Sequence, residues 1–163
     1  MLTSKVEKTL NAQLELEASS SQTYLAMASW AETQGLGGIA EFLFMHSDEE
    51  REHMLKLLKY INERGGHAIV PQLDAPAVEY GSIQTVFQTL LDHEVMVSQA
   101  INDCVAVCID ESDYTTQNFL QWYVAEQLEE EALARTIMDK LKLIGGDKGG
   151  LYLFDRDIAT LTV

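Results

Sequence analysis

The chain has 163 residues, of which 47% are hydrophobic, enough for one domain with a single buried core. Its 26 acidic residues against 11 basic ones give a formal charge of −15, which argues against nucleic acid and anionic membranes and for attraction of cations. With 10 Gly and 2 Pro there are too few breakers for a strand-rich fold, and no apolar run is long enough to span a membrane. The N-terminal segment from Met1 to Glu7 lacks the pattern of a signal peptide, so a cytoplasmic setting is expected. Cys104 and Cys108 lie four apart on one predicted helix, a poor geometry for a disulfide, and read as reduced core residues.

Ser4 and Glu7 read as a capping box opening a helix over about 4–34. Its inner stripe is Leu10, Leu14, Glu17, Ser21, Tyr24, Ala28 and Ala31. After a Gly35-Leu36-Gly37-Gly38 turn, a second helix spans about 37–64, with Ile39, Leu43, Ser47, Met54, Leu57 and Ile61 on the face that also carries Glu50 and His53. Residues 65–81 lose the helical period and contain Pro71 and Pro76. Extended, they reach about 55 Å, against about 42 Å for the preceding helix, so they can cross the length of a bundle and set the third helix parallel to the second.

Ser82 caps a third helix over about 82–110, with Ile83, Phe87, Leu90, Leu91, Glu94, Val97, Ile101 and Val105 inward. A turn through Asp110–Asp113 leads to a fourth helix over about 113–144, whose face carries Leu120, Tyr123, Val124, Gln127, Glu130, Ala134, Met138 and Leu141. A short amphipathic helix within 148–160 ends the chain and needs a surface to pack on. The expected fold is all-α: a single domain over 1–163, a four-helix bundle with one long crossover connection plus a short C-terminal fifth helix.

Each long helix thus places one carboxylate in its buried stripe: Glu17, Glu50, Glu94 and Glu130, joined by His53. None of the four stripes carries Lys or Arg, and carboxylates this close cannot all stay ionised without a cation. Oxygen-rich sites with one imidazole suit iron or manganese. Glu50 can bridge two ions, with Glu17 and His53 completing one position and Glu94 and Glu130 the other. Gln127, one turn before Glu130, is placed to bind a ligand water, and Tyr24 to donate an electron or a hydrogen bond. The run from Glu126 to Glu131 reads first as a solvated face. Glu126 and Glu129 nevertheless share an edge with Glu130, and with Glu49 they mark a third metal position. His46, one turn before Glu50, reads as a hydrogen-bonded structural histidine rather than an outer partner of the metal.

Taken together, Glu17 and Tyr24, the Glu49-Glu50-x-x-His53 motif, Glu94, the stretch from Asn118 to Glu131 and Gly150-Leu151-Tyr152 resemble the ferritin family in its bacterial non-haem branch, over nearly the whole chain. The resemblance implies a homo-oligomeric shell of 24 subunits around an iron-storage cavity, with a ferroxidase centre in each subunit. By position, Glu17, Glu50 and His53 match the ligands of a first iron, Glu50, Glu94 and Glu130 those of a second, and Glu49, Glu126, Glu129 and Glu130 those of a third. Tyr24 matches the tyrosine beside the centre. The expected reaction is oxidation of Fe(II) by dioxygen or hydrogen peroxide, with ferric mineral as the product. Bacterioferritins carry a second E-x-x-H where this chain has Gln127 and Glu130, and a haem methionine where it has Arg51. No haem is expected, and the centre reads as a transit site. Two rival readings stay open: a rubrerythrin-like peroxidase or substrate oxidase, although no C-x-x-C tail is present, and a helical oligomer without metal chemistry.

Overall fold

A computed structural model describes residues 1–161, so the last two residues of the expected tail lie outside the described residues. The helices are α1 (Ser4–Thr33), α2 (Gly37–Glu63), α3 (Ile83–Asp110), α4 (Tyr114–Ile144) and α5 (Lys148–Ile158). No strand occurs among the described residues.

Side-chain caps start three of the four long helices. The Thr3 hydroxyl accepts from the Val6 N–H, the Ser82 hydroxyl from Thr85 N–H and the Asp113 carboxylate from Thr116 N–H. The expected Ser4 and Glu7 capping box is not formed. The cap lies one residue earlier, which removes Glu7 from the reciprocal position, and its carboxylate accepts from the His67 N–H at 3.1 Å instead. The fourth long helix, α2, has Leu36 at its N-cap position, which supplies no side-chain cap. Asp155 of α5 supplies one from across the molecule, its carboxylate accepting from Ile39 N–H at 2.9 Å.

The apolar residues segregate into two clusters. One gathers Met27 and Ala31 of α1, Ile39 and Phe42 of α2, Val86 and Phe87 of α3, Ile137 and Leu141 of α4, and Phe154 of α5. The other holds Leu10 and Leu14, Leu57 and Ile61, Ile101 and Cys108, and Leu120 and Tyr123. The end of α2 therefore lies beside the start of α1 and the end of α3, which is the arrangement of antiparallel α1 and α2 with α3 running parallel to α2. Cys104 and Cys108 are buried free thiols of the second cluster, as expected.

The crossover makes this parallel step possible, and α1 holds it along its length. Near one end Asn11 donates to the His67 carbonyl at 3.1 Å and accepts from Ile69 N–H at 2.8 Å. Near the other, the Trp30 indole donates to Glu79 at 3.1 Å and packs edge-on against Tyr80. At 1.5 Å per residue, Asn11 and Trp30 are about 29 Å apart along the helix, most of the bundle's length. At the turn into α4, Arg64 closes the end of α2 onto Asp113 at 3.1 Å and donates to Thr116 at 3.0 Å.

The α1 and α2 backbones approach closely where Ser21 and Ser47 exchange hydrogen bonds, each hydroxyl donating to the other residue's carbonyl at 2.7 and 2.8 Å. By contrast, among the described residues no Cα of α2 comes within 8 Å of one in α4. That seam is bridged by long side chains, including Tyr60 and Phe119, whose rings stack 3.7 Å apart. A groove of about 840 Å³ runs along it.

A β-carbon on Gly38 would overlap the main-chain carbonyl of Asp155, and backbone cannot swing aside as a side chain can. Gly38→Ala should therefore displace α5 and remove the Asp155 cap, lowering stability by about 1–3 kcal/mol. Asp155→Ala, which removes only the cap, should lower it by about 1 kcal/mol. Thermal unfolding of the two variants beside the wild type checks both values; a Gly38→Ala protein as stable as Asp155→Ala would remove the steric part of the argument.

Candidate metal centre

Between the two apolar clusters lies a layer of buried polar side chains. Glu17, Glu50, His53, Glu94, Gln127 and Glu130 are each at most 6% exposed, and no Lys or Arg is buried among the described residues. Helical spacing puts them there: each sits in the inward stripe of its own helix, near mid-length, so the antiparallel packing brings them to one level.

Glu17, Glu50 and His53 converge. One ligand atom from each lies within 4.8 Å of the others, with His53 Nδ1 at 3.9 Å from Glu17 Oε2 and 3.7 Å from Glu50 Oε2. None of these three atoms has a hydrogen-bond partner. Three buried donor atoms that face one another and nothing else are a receptor for a cation. The surroundings hold them in place. Gln13 donates to the other Glu17 oxygen at 2.8 Å, and the Tyr123 hydroxyl donates to the His53 carbonyl at 2.8 Å. The Trp122 ring stands edge-on to the imidazole at 5.2 Å.

Glu94 stands in the same layer with both oxygens engaged. Tyr24 donates to Oε1 at 2.5 Å and the Gln127 amide donates to Oε2 at 3.0 Å and to the Glu94 carbonyl at 3.2 Å. Each carboxylate oxygen keeps a free lone pair beyond these bonds. The amide nitrogen of Gln127 thus orients Glu94. Burial first, and the Glu94 charge next, push the Tyr24 phenol well above its ordinary value, so it remains a proton donor.

Glu130 faces a different group. His46, Glu49 and Glu130 offer ligand atoms within 4.8 Å of one another, with His46 Nε2 at 3.6 Å from Glu130 Oε2. Glu126 lines the groove between α2 and α4, and Glu129 is exposed beside it; neither joins this close trio. Burial lowers the His46 imidazole below its ordinary value, which keeps the ring neutral near pH 7.

The carboxyls report the same crowding. Glu17 is raised well above the usual range by burial and then by Glu50, and Glu50 by burial and then by Glu94. Glu130 is pushed up to about 8 by burial and by Glu94, Glu49, Glu126 and Glu129. Without a metal the layer survives by keeping protons that a cation would displace.

The ferritin-like domain of the ferritin family matches residues 7–144. The chain belongs to the ferritin-like domain family. A probable bacterial non-heme ferritin-like protein of Haemophilus influenzae is 46% identical over 162 residues, covering 99% of this chain and 98% of that protein. A bacterial non-heme ferritin of Campylobacter jejuni is 42% identical over 163 residues, covering 100% and 98%. Among solved structures, an open pore ferritin from the hyperthermophilic archaeon Archaeoglobus fulgidus superposes with a TM-score of 0.96 at 37% identity, covering 99% of this chain and 98% of that one.

Two features of this ferritin-like layer escaped the sequence reading. Gln13, 2% exposed, is one turn before Glu17, and the i, i+4 rule would have found it as that carboxylate's partner. Lys56 lays its ammonium 3.1 Å from the Trp122 ring centroid, a contact between α2 and α4 that no local pattern announces.

Glu130 gives the layer a pH signature. Its folded value of about 8 lies above the roughly 4.3 of an unfolded glutamate. Its contribution to stability is therefore complete below pH ~4.3 and is lost as pH rises through about 8. Chelator-treated Glu130→Gln, which stays neutral, should gain about 1–3 kcal/mol on the wild type between pH 5 and 9. Denaturant unfolding across that range checks it, and a difference that does not change with pH would contradict the assignment.

Proposed function

We propose that the chain is an iron-storage ferritin that oxidises Fe(II) to Fe(III) at the buried layer and holds the product as ferric mineral inside a shell of its own copies. The observation that carries this reading is the convergence of Glu17 Oε2, Glu50 Oε2 and His53 Nδ1, buried and without partners, in a layer with no buried basic residue. A group of this kind suits a divalent cation, which displaces the protons it otherwise keeps. The ferritin relatives, similar over nearly the full chain, support iron as that cation.

Iron is here the substrate. In the proposed reaction Glu17, Glu50 and His53 bind one Fe(II), and Glu50, Glu94 and Glu130 a second, Glu50 being shared. Each ion gives up one electron. Dioxygen takes two electrons and two protons and leaves as hydrogen peroxide, or peroxide takes two electrons and two protons and leaves as water. Anionic oxygen ligands stabilise the ferric product more than the ferrous substrate, so the carboxylates supply driving force as well as position. Tyr24, hydrogen-bonded to Glu94, is placed to give an electron or a hydrogen bond toward the second ion. Gln127 holds Glu94 in register. Glu49, Glu126, Glu129 and Glu130 serve a third ion on its way out of the centre.

The assembly proposed is the 24-subunit shell, working in the cytoplasm and binding neither haem, nucleic acid nor membrane. No helix among the described residues is long and apolar enough to cross a membrane.

Glu50→Ala combined with His53→Ala should slow the initial oxidation of Fe(II) in air by roughly 10- to 100-fold or more, followed by ferric absorbance in the near ultraviolet. An unchanged initial rate would refute the centre. Electron microscopy of wild-type protein loaded with Fe(II) in air should show hollow particles with dense cores, and a chain that keeps only a few iron atoms would move the reading to a di-iron oxidase.

A further inference from the structure

His46 reads from the sequence as a hydrogen-bonded structural histidine, and one of its two ring nitrogens fits that reading. It is 3% exposed, and Nδ1 lies 3.0 Å from the Phe42 carbonyl oxygen. A carbonyl only accepts, so Nδ1 carries the proton and Nε2 the lone pair. Nε2 has no hydrogen-bond partner and lies 3.6 Å from Glu130 Oε2, too far for a hydrogen bond, so its lone pair faces that carboxyl across a buried gap. The ring cannot turn away easily, because the Phe42 ring lies against it at 4.0 Å between centroids. An imidazole held by a main-chain carbonyl through one nitrogen, with the other open toward a carboxyl, here Glu130, is the arrangement of a ligating histidine. Glu49 Oε2 lies 3.9 Å from Nδ1, and the three residues offer ligand atoms within 4.8 Å of one another.

The third member of the group, Glu49, has a side chain 47% exposed and lines the groove between α2 and α4. An ion held by the three would thus touch the buried layer through Glu130 and the open groove through Glu49.

We infer that His46 is a nitrogen ligand for the outer ion, which it binds through Nε2 together with Glu49 and Glu130. The inference rests on the ferroxidase reading in one respect, that Glu130 also serves the inner pair, and it departs from the all-carboxylate outer site that the family resemblance implies. A neutral imidazole at this position selects borderline divalent ions such as Fe(II), Co(II) and Zn(II) over Ca(II) and Mg(II). It also gives the ion leaving the centre a donor whose attraction does not depend on the charges already neutralised inside.

Zn(II) tests the site without turnover, since it is not oxidised. Chelator-treated wild-type, His46→Gln and Glu49→Ala proteins, in their native assembly, are dialysed against Zn(II), and the zinc environment is read by X-ray absorption. The wild type should bind three ions per chain, with two imidazoles among them. In His46→Gln one ion per chain should weaken by roughly 10- to 100-fold, and the imidazole count should fall to one. Glu49→Ala, altered at a half-exposed position, should weaken the same ion. If His46→Gln retains all three at wild-type affinity, the inference is overturned. A wild type that binds only two overturns it while leaving the ferroxidase reading intact, and one that binds none overturns both. Should His46→Gln fail to assemble, crystals of the wild type soaked in Zn(II) decide: an anomalous peak about 2.0–2.1 Å from His46 Nε2 supports the site, and its absence there refutes it.

Discussion

Four carboxylates and two imidazoles share one buried layer, and among the described residues no buried Lys or Arg neutralises them. Each ionised carboxylate in such a place costs several kcal/mol unless it is paired, so the layer is the dominant electrostatic constraint on the fold. The chain meets it in two ways. Neutral donors take part of the load, Gln13 at Glu17 and Tyr24 and Gln127 at Glu94, and retained protons take the rest at Glu17, Glu50 and Glu130. The apolar clusters above and below supply the burial that lets the helices tolerate the layer.

The same constraint explains why the bundle is unevenly closed. Small residues bring α1 and α2 together at Ser21 and Ser47, on the side where Glu17 meets Glu50. The α2 and α4 seam is wide and is bridged by rings and long side chains: Tyr60 on Phe119, His53 against Trp122, Lys56 over Trp122. His53, Glu49, Glu126 and Glu130 all line the groove there. A resident cofactor would be best served by a sealed bundle. A substrate ion needs a way through, and this seam is where the buried layer meets solvent.

Much of this arrangement was legible from residue spacing. A carboxylate recurring in four apolar stripes located the layer, and the reach of residues 65–81 allowed α3 to run parallel to α2. Helix ends and partners between helices were less legible because they depend on contacts distant in sequence. Thr3 rather than Ser4 caps α1, which leaves Glu7 to the crossover at His67. Asp155 caps α2 from more than a hundred residues away, which no local motif can signal. The two ring nitrogens of His46 divide in the same way: its Phe42 bond is local and foreseeable, whereas the surroundings of the open Nε2 depend on α4. Grouping of Glu49 with Glu130 followed from the place of Glu49 beside Glu50, but the absence of Glu126 and Glu129 from the close trio depends on how α2 and α4 pack.

The asymmetry of the donor set bears on how the proposed centre releases its product. The first position has a nitrogen and two carboxylates that converge without partners, a compact trio suited to capture. The second has no nitrogen, and its Glu94 is already engaged by Tyr24 and Gln127. Its remaining ligand, Glu130, faces His46 and Glu49 on the groove side. A carboxylate shared between an inner ion and an outer group binds neither exclusively, so strengthening the outer contact weakens the inner one. Gln127 sharpens the effect, because a histidine there would anchor the second ion while the amide anchors only Glu94. The ligand set therefore tends to hold the first ion, share the second and pass it outward along the α2 and α4 seam, which is the behaviour a storage protein requires of a centre that must empty after each oxidation.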